Sequence, residues 1–333
     1  MPASRRPWHH LRGPAAVALA VTLALLTGCG GTDPAQGEGR EQRGGTTARP
    51  TATLVAQSTS EGDVLTALYA LLLEQAGFRV EVADPAPREE YLPDLREGRA
   101  QLAPDYLSSL AETLSGAGTA GTAPGAGPAA AVPAPAPDLA LEYLDGLARD
   151  EGLVPLRPAR AEDVRSFAVT RAFAERHRLR TLTDLARSGQ RVALAADTEC
   201  AARADCAPGL RRVYGVRLRV IVPAGIDGGD AVEQLRSGAV QLAQVASTDG
   251  RLEGGASGVV VLEDDRDLQP TQQVVPVANA AWVADHPVVR TVMADLAEVL
   301  TTSELRGLDA EVDGGGSDAR EAAQAWLGEQ GLL

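Results

Sequence analysis

The chain has no lysine: all 31 of its lysine-or-arginine positions are arginine. Against them stand 45 Asp and Glu, for a formal net charge of -14, and no basic stripe runs through the body of the chain. Phosphate backbones are bound by clustered basic groups, so a nucleic-acid partner is excluded. The phosphate loop that depends on a lysine is excluded with it. Aromatics make up only 3% of residues against 44% hydrophobic overall, so a core must be assembled mainly from Leu, Val and Ala. Histidine is scarce at four, and His177 and His286 stand far from the cysteines in sequence. With three cysteines and no Cys-x-x-Cys spacing, a zinc site or a dithiol redox centre has too few ligands. A Gly-x-Ser-x-Gly elbow is missing too, and no nucleophile–base or acid–base pair assembles. No catalytic residue, metal or cofactor is therefore expected, and the chain does not read as an enzyme.

At the N-terminus, Arg5, Arg6 and Arg12 precede the apolar run Ala15–Leu26, 12 residues long. That is too short to span a bilayer and the right length for the core of a signal peptide. The run ends Leu26-Thr27-Gly28-Cys29, which resembles a bacterial lipobox, whose Cys becomes the lipidated first residue of the mature protein; an ordinary signal peptide with an incidental Cys is the alternative. Residues 1–28 are expected to be removed and Cys29 to carry lipid, placing the protein on the extracytoplasmic face of the cell membrane. Residues 29–50 hold almost nothing apolar and are expected to form a flexible tether. Export also puts Cys200 and Cys206 in an oxidising compartment, where a disulfide across this short loop is expected. It would contribute about 2–3 kcal/mol by the chain-entropy argument.

The body follows β-α-β-α-β grammar. A strand at Ala52–Ala56 leads through Ser/Thr cap candidates to a helix over about 63–75 that stops at Gly77. A strand at 78–82, a helix at 88–97 ending at Gly98, and a strand at 101–106 follow. The grammar recurs as a helix end at 210–214 before Gly215, a strand at 216–221, a helix at 230–236 before Gly238, and a strand at 241–245. The stretches Leu95-Arg96-Glu97-Gly98 to Ala103 and Leu235-Arg236-Ser237-Gly238 to Ala243 match in pattern. Two similar α/β lobes are the reading, with chance similarity of common helix-Gly-strand units as the alternative. The lobes are expected at 51–165 plus 268–333 and at 166–267, with Phe167–Thr170 and Gln273–Ala278 as crossings. An uncharged Gly/Ala/Pro stretch at 115–137 reads as a surface loop, and helices at about 286–300 and 317–329 are expected to pack on the first lobe. The acidic run Glu263-Asp264-Asp265 reads as a turn, and Glu61 and Asp63 as partners of the helix dipole.

Four stretches resemble the substrate-binding proteins of ABC importers for glycine betaine, choline and carnitine. They are the Ser60-Glu61 turn with the helix ending Leu73-Glu74-Gln75-Ala76-Gly77-Phe78, Leu102-Ala103-Pro104-Asp105-Tyr106, Gly209-Leu210 with Tyr214-Gly215, and Ser247-Thr248-Asp249-Gly250-Arg251 with Val261-Leu262-Glu263-Asp264-Asp265. The resemblance implies an α/β, two-lobed, type II periplasmic-binding-protein-like fold with its ligand in the cleft between lobes. It implies capture of an osmoprotectant for a permease and its ATPase subunits, by a monomer. In such proteins aromatic rings box a quaternary ammonium, each ring adding ~0.5–2 kcal/mol by cation–π attraction. Tyr106 matches a cage tyrosine. Thr59 stands where many members have Phe or Tyr, Cys200 where an aromatic follows the glutamate matched by Glu199, and Gln272 and Gln273 where a Tyr pair is common. Arg203 lies near a family arginine, and Thr248 and Asp249 belong to the shared turn. With Ser60 and Asp105, these form the expected ligand site. Because most of the ring box is missing, a different polar solute on the same fold is the alternative.

Overall fold

The computed structural model describes residues 49–116, 137–225, 229–252 and 258–333. The expectations for the signal peptide, Cys29, nearly all of the tether and most of the 115–137 loop lie outside the described residues.

Ten strands form two five-stranded sheets. The first is built from β1 (Thr51–Leu54), β2 (Arg79–Val82), β3 (Leu102–Tyr106), β4 (Leu153–Pro155) and β10 (Val274–Asn279), in the order β2-β1-β3-β10-β4. The second holds β5 (Arg165–Thr170), β6 (Arg191–Ala196), β7 (Arg217–Pro223), β8 (Leu242–Ala246) and β9 (Val259–Leu262), in the order β7-β6-β8-β5-β9. Each has three parallel strands followed by one antiparallel strand in the fourth place, β10 in one sheet and β5 in the other. The recurring Gln-Leu-Ala motif explains part of this likeness. Gln101 accepts a hydrogen bond from the Thr53 amide through its side chain (2.6 Å), and Gln241 does the same for Ala193 (3.2 Å). Each glutamine thus ties the start of its strand to the neighbouring strand 48 residues earlier. The glycines preceding them, Gly98 and Gly238, have φ of +72° and +78°, a left-handed turn that lets each helix end and the chain reverse into the strand.

The opening helix, Ser60–Gln75, begins where the Thr59 hydroxyl accepts from the Gly62 amide (2.9 Å). Its Val64, Leu65, Leu68, Leu72 and Leu73 are buried against helices from the C-terminal end of the chain, with Met293, Leu296, Leu305 and Leu327 in the same apolar cluster. The cluster holds few rings, as the composition requires, and is filled by Leu, Val and Ala.

Two details of the C-terminal region depart from expectation. The helix expected at 286–300 is Val288–Val299, and a short helix not expected from the sequence, Ala280–Asp285, stands before it. Pro287 disfavours the helical conformation for the residue before it, and His286 sits at φ −129°, ψ 67°. A helix absent from the sequence reading, Thr302–Asp313, follows; Thr301 caps it by accepting from the Glu304 amide (3.2 Å). The Thr-x-x-Glu pattern at 301–304 was a readable start signal.

Segments 156–164 and 263–273 link the sheets. They pair with one another through the Asp163 amide to the Gln272 carbonyl (3.1 Å) and the Val274 amide to the Ala161 carbonyl (2.9 Å). Phe167–Thr170 and Gln273–Ala278, read as the crossings, fall inside the sheets on either side of these links, except Gln273, which precedes its strand.

Candidate functional site: a groove between the two sheets

Two hollows of about 470 and 460 Å³ share Tyr106, Asp163, Arg165 and Ala246, and so form two arms of one groove. Tyr106 comes from the end of β3, Asp163 from a linking segment, Arg165 from the start of β5 and Ala246 from the end of β8. Residues of both sheets therefore meet there. A larger hollow of about 990 Å³ runs along β5 and β9; no strand of the first sheet lines it, so it does not lie between the lobes.

One arm is bounded by Ser109, Asp197, Thr198, Glu199, Asp205 and Gln272. The loop that carries Glu199 is closed by a disulfide between Cys200 and Cys206, both fully buried. Arg203 inside that loop does not line the groove. Its guanidinium donates to Asp197 (2.8 Å) and Asp205 (2.9 Å), so its charge is spent holding two carboxylates of the wall. Gln272 holds Ser109, accepting from its amide (3.2 Å) and donating to its hydroxyl (2.7 Å), while keeping a face on the groove.

The other arm is bounded by Gln57, Thr59, Ser60, Glu61, Thr248, Asp249, Arg251, Asp309 and Asp313. Thr248 donates to Asp163 (3.0 Å), and Asp249 pairs with Arg251 (2.8 Å). The Tyr106 hydroxyl donates to Glu61. Burial pushes the Glu61 carboxyl up to about 7, helped by the charge of Asp163. Burial and the charge of Glu61 push Asp309 up to about 9. The Tyr106 phenol is raised well above its ordinary value by burial and then by the charge of Glu61, so it stays a neutral donor.

Of the ten expected ligand residues, the groove collects Thr59, Ser60, Tyr106, Glu199, Thr248, Asp249 and Gln272. Three stand elsewhere. Asp105 is fully buried on the opposite face of β3 from Tyr106, because successive side chains of a strand alternate. It is held by the Arg88 guanidinium (2.6 Å) and the Tyr91 hydroxyl. Arg203 is committed to its two aspartates. Gln273, one residue on from Gln272, points away and donates to the Ala159 carbonyl (3.1 Å), fastening the two linking segments. The reading in turn missed Asp163, Arg165 and Asp309, and gave Glu61 only a helix-dipole role.

Eight acidic residues line the groove against two arginines, Arg165 and Arg251, and Tyr106 is the only ring among the described lining residues. The exposed Arg165 guanidinium has no hydrogen-bond or ion-pair partner among the described residues. Among those residues no group of three His, Cys, Asp or Glu side chains is placed to hold a metal ion. No described helix is long and apolar enough to cross a membrane.

A family model for the substrate-binding domain of ABC-type glycine betaine transport systems matches residues 50–329. The chain belongs to that family. Its members are binding proteins rather than enzymes. The chain is 29% identical over 187 residues to the glycine betaine-binding protein YehZ of Escherichia coli K12, covering 54% of this chain and 61% of that protein. It is 27% identical over 207 residues to the glycine-betaine-binding protein of Pseudomonas aeruginosa, covering 59% of this chain and 66% of the relative. These matches thus span under two thirds of either relative's length. A crystal structure of a glycine betaine/carnitine/choline ABC transporter protein superposes with a TM-score of 0.73 at 22% identity, covering 86% of this chain and 99% of the other. The fold is the two-lobed α/β architecture of type II periplasmic binding proteins.

Proposed function

We propose that this protein captures a small zwitterion of the glycine betaine type outside the membrane and hands it to an ABC permease driven by its ATPase subunits. The observation that carries the reading is the polarity of the groove. At one side Glu61, Asp163 and Asp309 surround the hydroxyl end of Tyr106; at the rim stands Arg165 with an uncommitted guanidinium. Carboxylates and the face of a ring both attract a cationic head, and the arginine fork matches a carboxylate. A zwitterion of this kind carries both groups. The family match and the names of the two relatives support the betaine class.

The second reading, a different cationic solute with hydrogen-bonding groups, is favoured by one observation: a single ring cannot enclose a trimethylammonium group. Each missing ring forfeits ~0.5–2 kcal/mol, and ~1.4 kcal/mol is tenfold in affinity. Calorimetry with glycine betaine, choline and carnitine beside a panel of amines, amino acids and sugars separates the two. The betaine reading expects glycine betaine to bind and Tyr106→Ala to weaken it at least several-fold. A polar amine that outcompetes it supports the second reading, and tight betaine binding indifferent to Tyr106→Ala removes Tyr106 from the site.

Delivery to a permease is served by a lipid anchor at Cys29, a reading supported by the residue order before that thiol, with the folded body working as a monomer on its tether. Replacing Cys29 with Ser is expected to release the protein from membranes; unchanged retention would refute the anchor.

A further inference from the structure

Glu61 and Asp309 arrive in the groove from different helices, the first turn of Ser60–Gln75 and the last turns of Thr302–Asp313. They are 8% and 4% exposed. Glu61 already accepts the Tyr106 hydroxyl. Oδ1 of Asp309 has no hydrogen-bond donor among the described residues, although it is buried at the wall of the groove. On the same arm of the groove stands the Glu61 carboxyl, whose charge acts on Asp309. Two ionised carboxylates are acceptors only, so they can bond one another only when one of them carries a proton. Interacting like charges in a buried site do not both ionise.

Among the described residues no arginine forms an ion pair with either carboxyl. From β3 comes Tyr106, from the linking segment Asp163, from the helix of Asp309 itself Asp313, and from the loop after β8 Thr248 and Asp249. Arg251 in that loop is paired with Asp249 (2.8 Å). Arg306, on the same helix as Asp309, donates to the Ser247 carbonyl (2.8 Å). Arg165 lies exposed at the rim. The helix is also pressed against the loop: a Cβ on Gly250 would meet the Ala310 backbone at 2.5 Å. The pair is therefore shut in, and the position for a positive charge beside it is the groove.

We infer that Glu61 and Asp309 share one proton in the empty groove and release it to solvent when the cationic head of the solute enters, so that this pair sets the selectivity for positive charge. The inference rests on the reading of the groove as a cation-binding cleft. Protonated, the pair carries one negative charge; after release it carries two, beside the arriving cation. Binding and proton loss are then linked, and affinity for a cation rises with pH by at most ~10-fold per pH unit for one proton.

The test uses the full chain of the wild type and of Asp309→Asn, with Glu61→Gln as a second variant. Glycine betaine is titrated by calorimetry at pH 7.5 in two buffers of different ionisation enthalpy, and again between pH 6.5 and 8.5. The wild type is expected to release close to one proton per ligand and to bind several-fold more tightly at the upper pH. In Asp309→Asn the amide can donate to Glu61 in place of the shared proton, so release disappears and affinity becomes flat with pH. Betaine binding without proton release overturns the inference while leaving the functional reading intact. Absence of binding by any cationic solute overturns that reading and the exchange with it. The shared proton is read separately, from melting of the ligand-free proteins between pH 6 and 9. The wild type is expected to lose stability with rising pH and Asp309→Asn to lose much less; parallel curves overturn the shared proton whatever the ligand does.

Discussion

On the wall of the groove built from the second lobe, Asp197 and Asp205 flank a single guanidinium, that of Arg203, inside a loop closed by a disulfide. On the wall built from the first lobe, Glu61 and Asp309 stand on the same arm, and neither has an arginine ion pair among the described residues. On the second-lobe wall an arginine ties two carboxylates together, whereas on the first-lobe wall a buried Asp309 oxygen has no donor among the described residues. A protein selected only for stability would satisfy both. The first wall is where a visiting cation gains most, since a charge buried near uncompensated carboxylates interacts far more strongly than one in water.

That contrast is broken most severely at a third carboxylate. Asp105 lies in the first lobe one residue from Tyr106, yet it has an arginine, Arg88, and a tyrosine hydroxyl. Removing one partner of a buried ion pair strands the other, at a cost of about 3–5 kcal/mol. Asp105→Ala is expected to lose stability in that range by urea denaturation, with the Arg88→Met, Asp105→Leu double replacement recovering much of it. A loss under about 1 kcal/mol in the single variant would show that this pair is not structural and dissolve the distinction drawn here.

A smaller effect sharpens the contrast at the rim. Arg165→Ala removes the one groove arginine with no partner among the described residues. Loss of a charge-assisted contact of about 1.5–3 kcal/mol weakens glycine betaine by roughly tenfold or more. Choline has the cationic head without the carboxylate, so its binding is expected to stay unchanged or tighten. Equal weakening of both solutes would mean that Arg165 holds the groove in shape and does not read the carboxylate.

The Glu61–Asp309 pair makes its own contribution to the pH behaviour of the ligand-free protein. The Glu61 and Asp309 carboxyls are raised in the folded state, to about 7 and about 9. The folded protein therefore binds more protons than the unfolded chain from about pH 4 upward. The stability this contributes is fully present below that pH and is lost as pH rises through the folded values.

Much of this arrangement was legible in the residues. The helix-Gly-Gln-Leu-Ala motif marked both lobes because one backbone turn and one side-chain hydrogen bond recur in each. Tyr106, Glu199, Thr248 and Gln272 could be placed at the groove because the family resemblance carries over to them position by position. Asp105 and Gln273 were misplaced for a common reason: in extended chain adjacent side chains face opposite ways, so a neighbour of a site residue is the residue least suited to share the site. Asp309 was invisible because its helix was missed, and because its meeting with Glu61 joins positions far apart in the chain. Composition and local pattern do not encode that contact. Asp163 and Arg165 belong to none of the motifs that the sequence analysis singled out.

The smallest expected effect concerns Thr59, which the resemblance placed among the ligand residues and the structure makes the cap of the opening helix. Its hydroxyl accepts from the Gly62 amide (2.9 Å), one of the donors that a helix start leaves without a partner. The same residue is exposed and lines the groove, so cap and contact are separable by substitution. Thr59→Ala is expected to cost about 1 kcal/mol of stability through loss of the cap, and Thr59→Ser to cost almost nothing, because serine caps as well. If capping is its whole role, glycine betaine affinity measured well below the melting temperature stays within twofold in both variants. A selective loss of affinity in Thr59→Ala, with Thr59→Ser unaffected, would instead give the hydroxyl a second duty toward the solute. It would extend the cation-facing wall by one residue, to the start of the helix that carries Glu61.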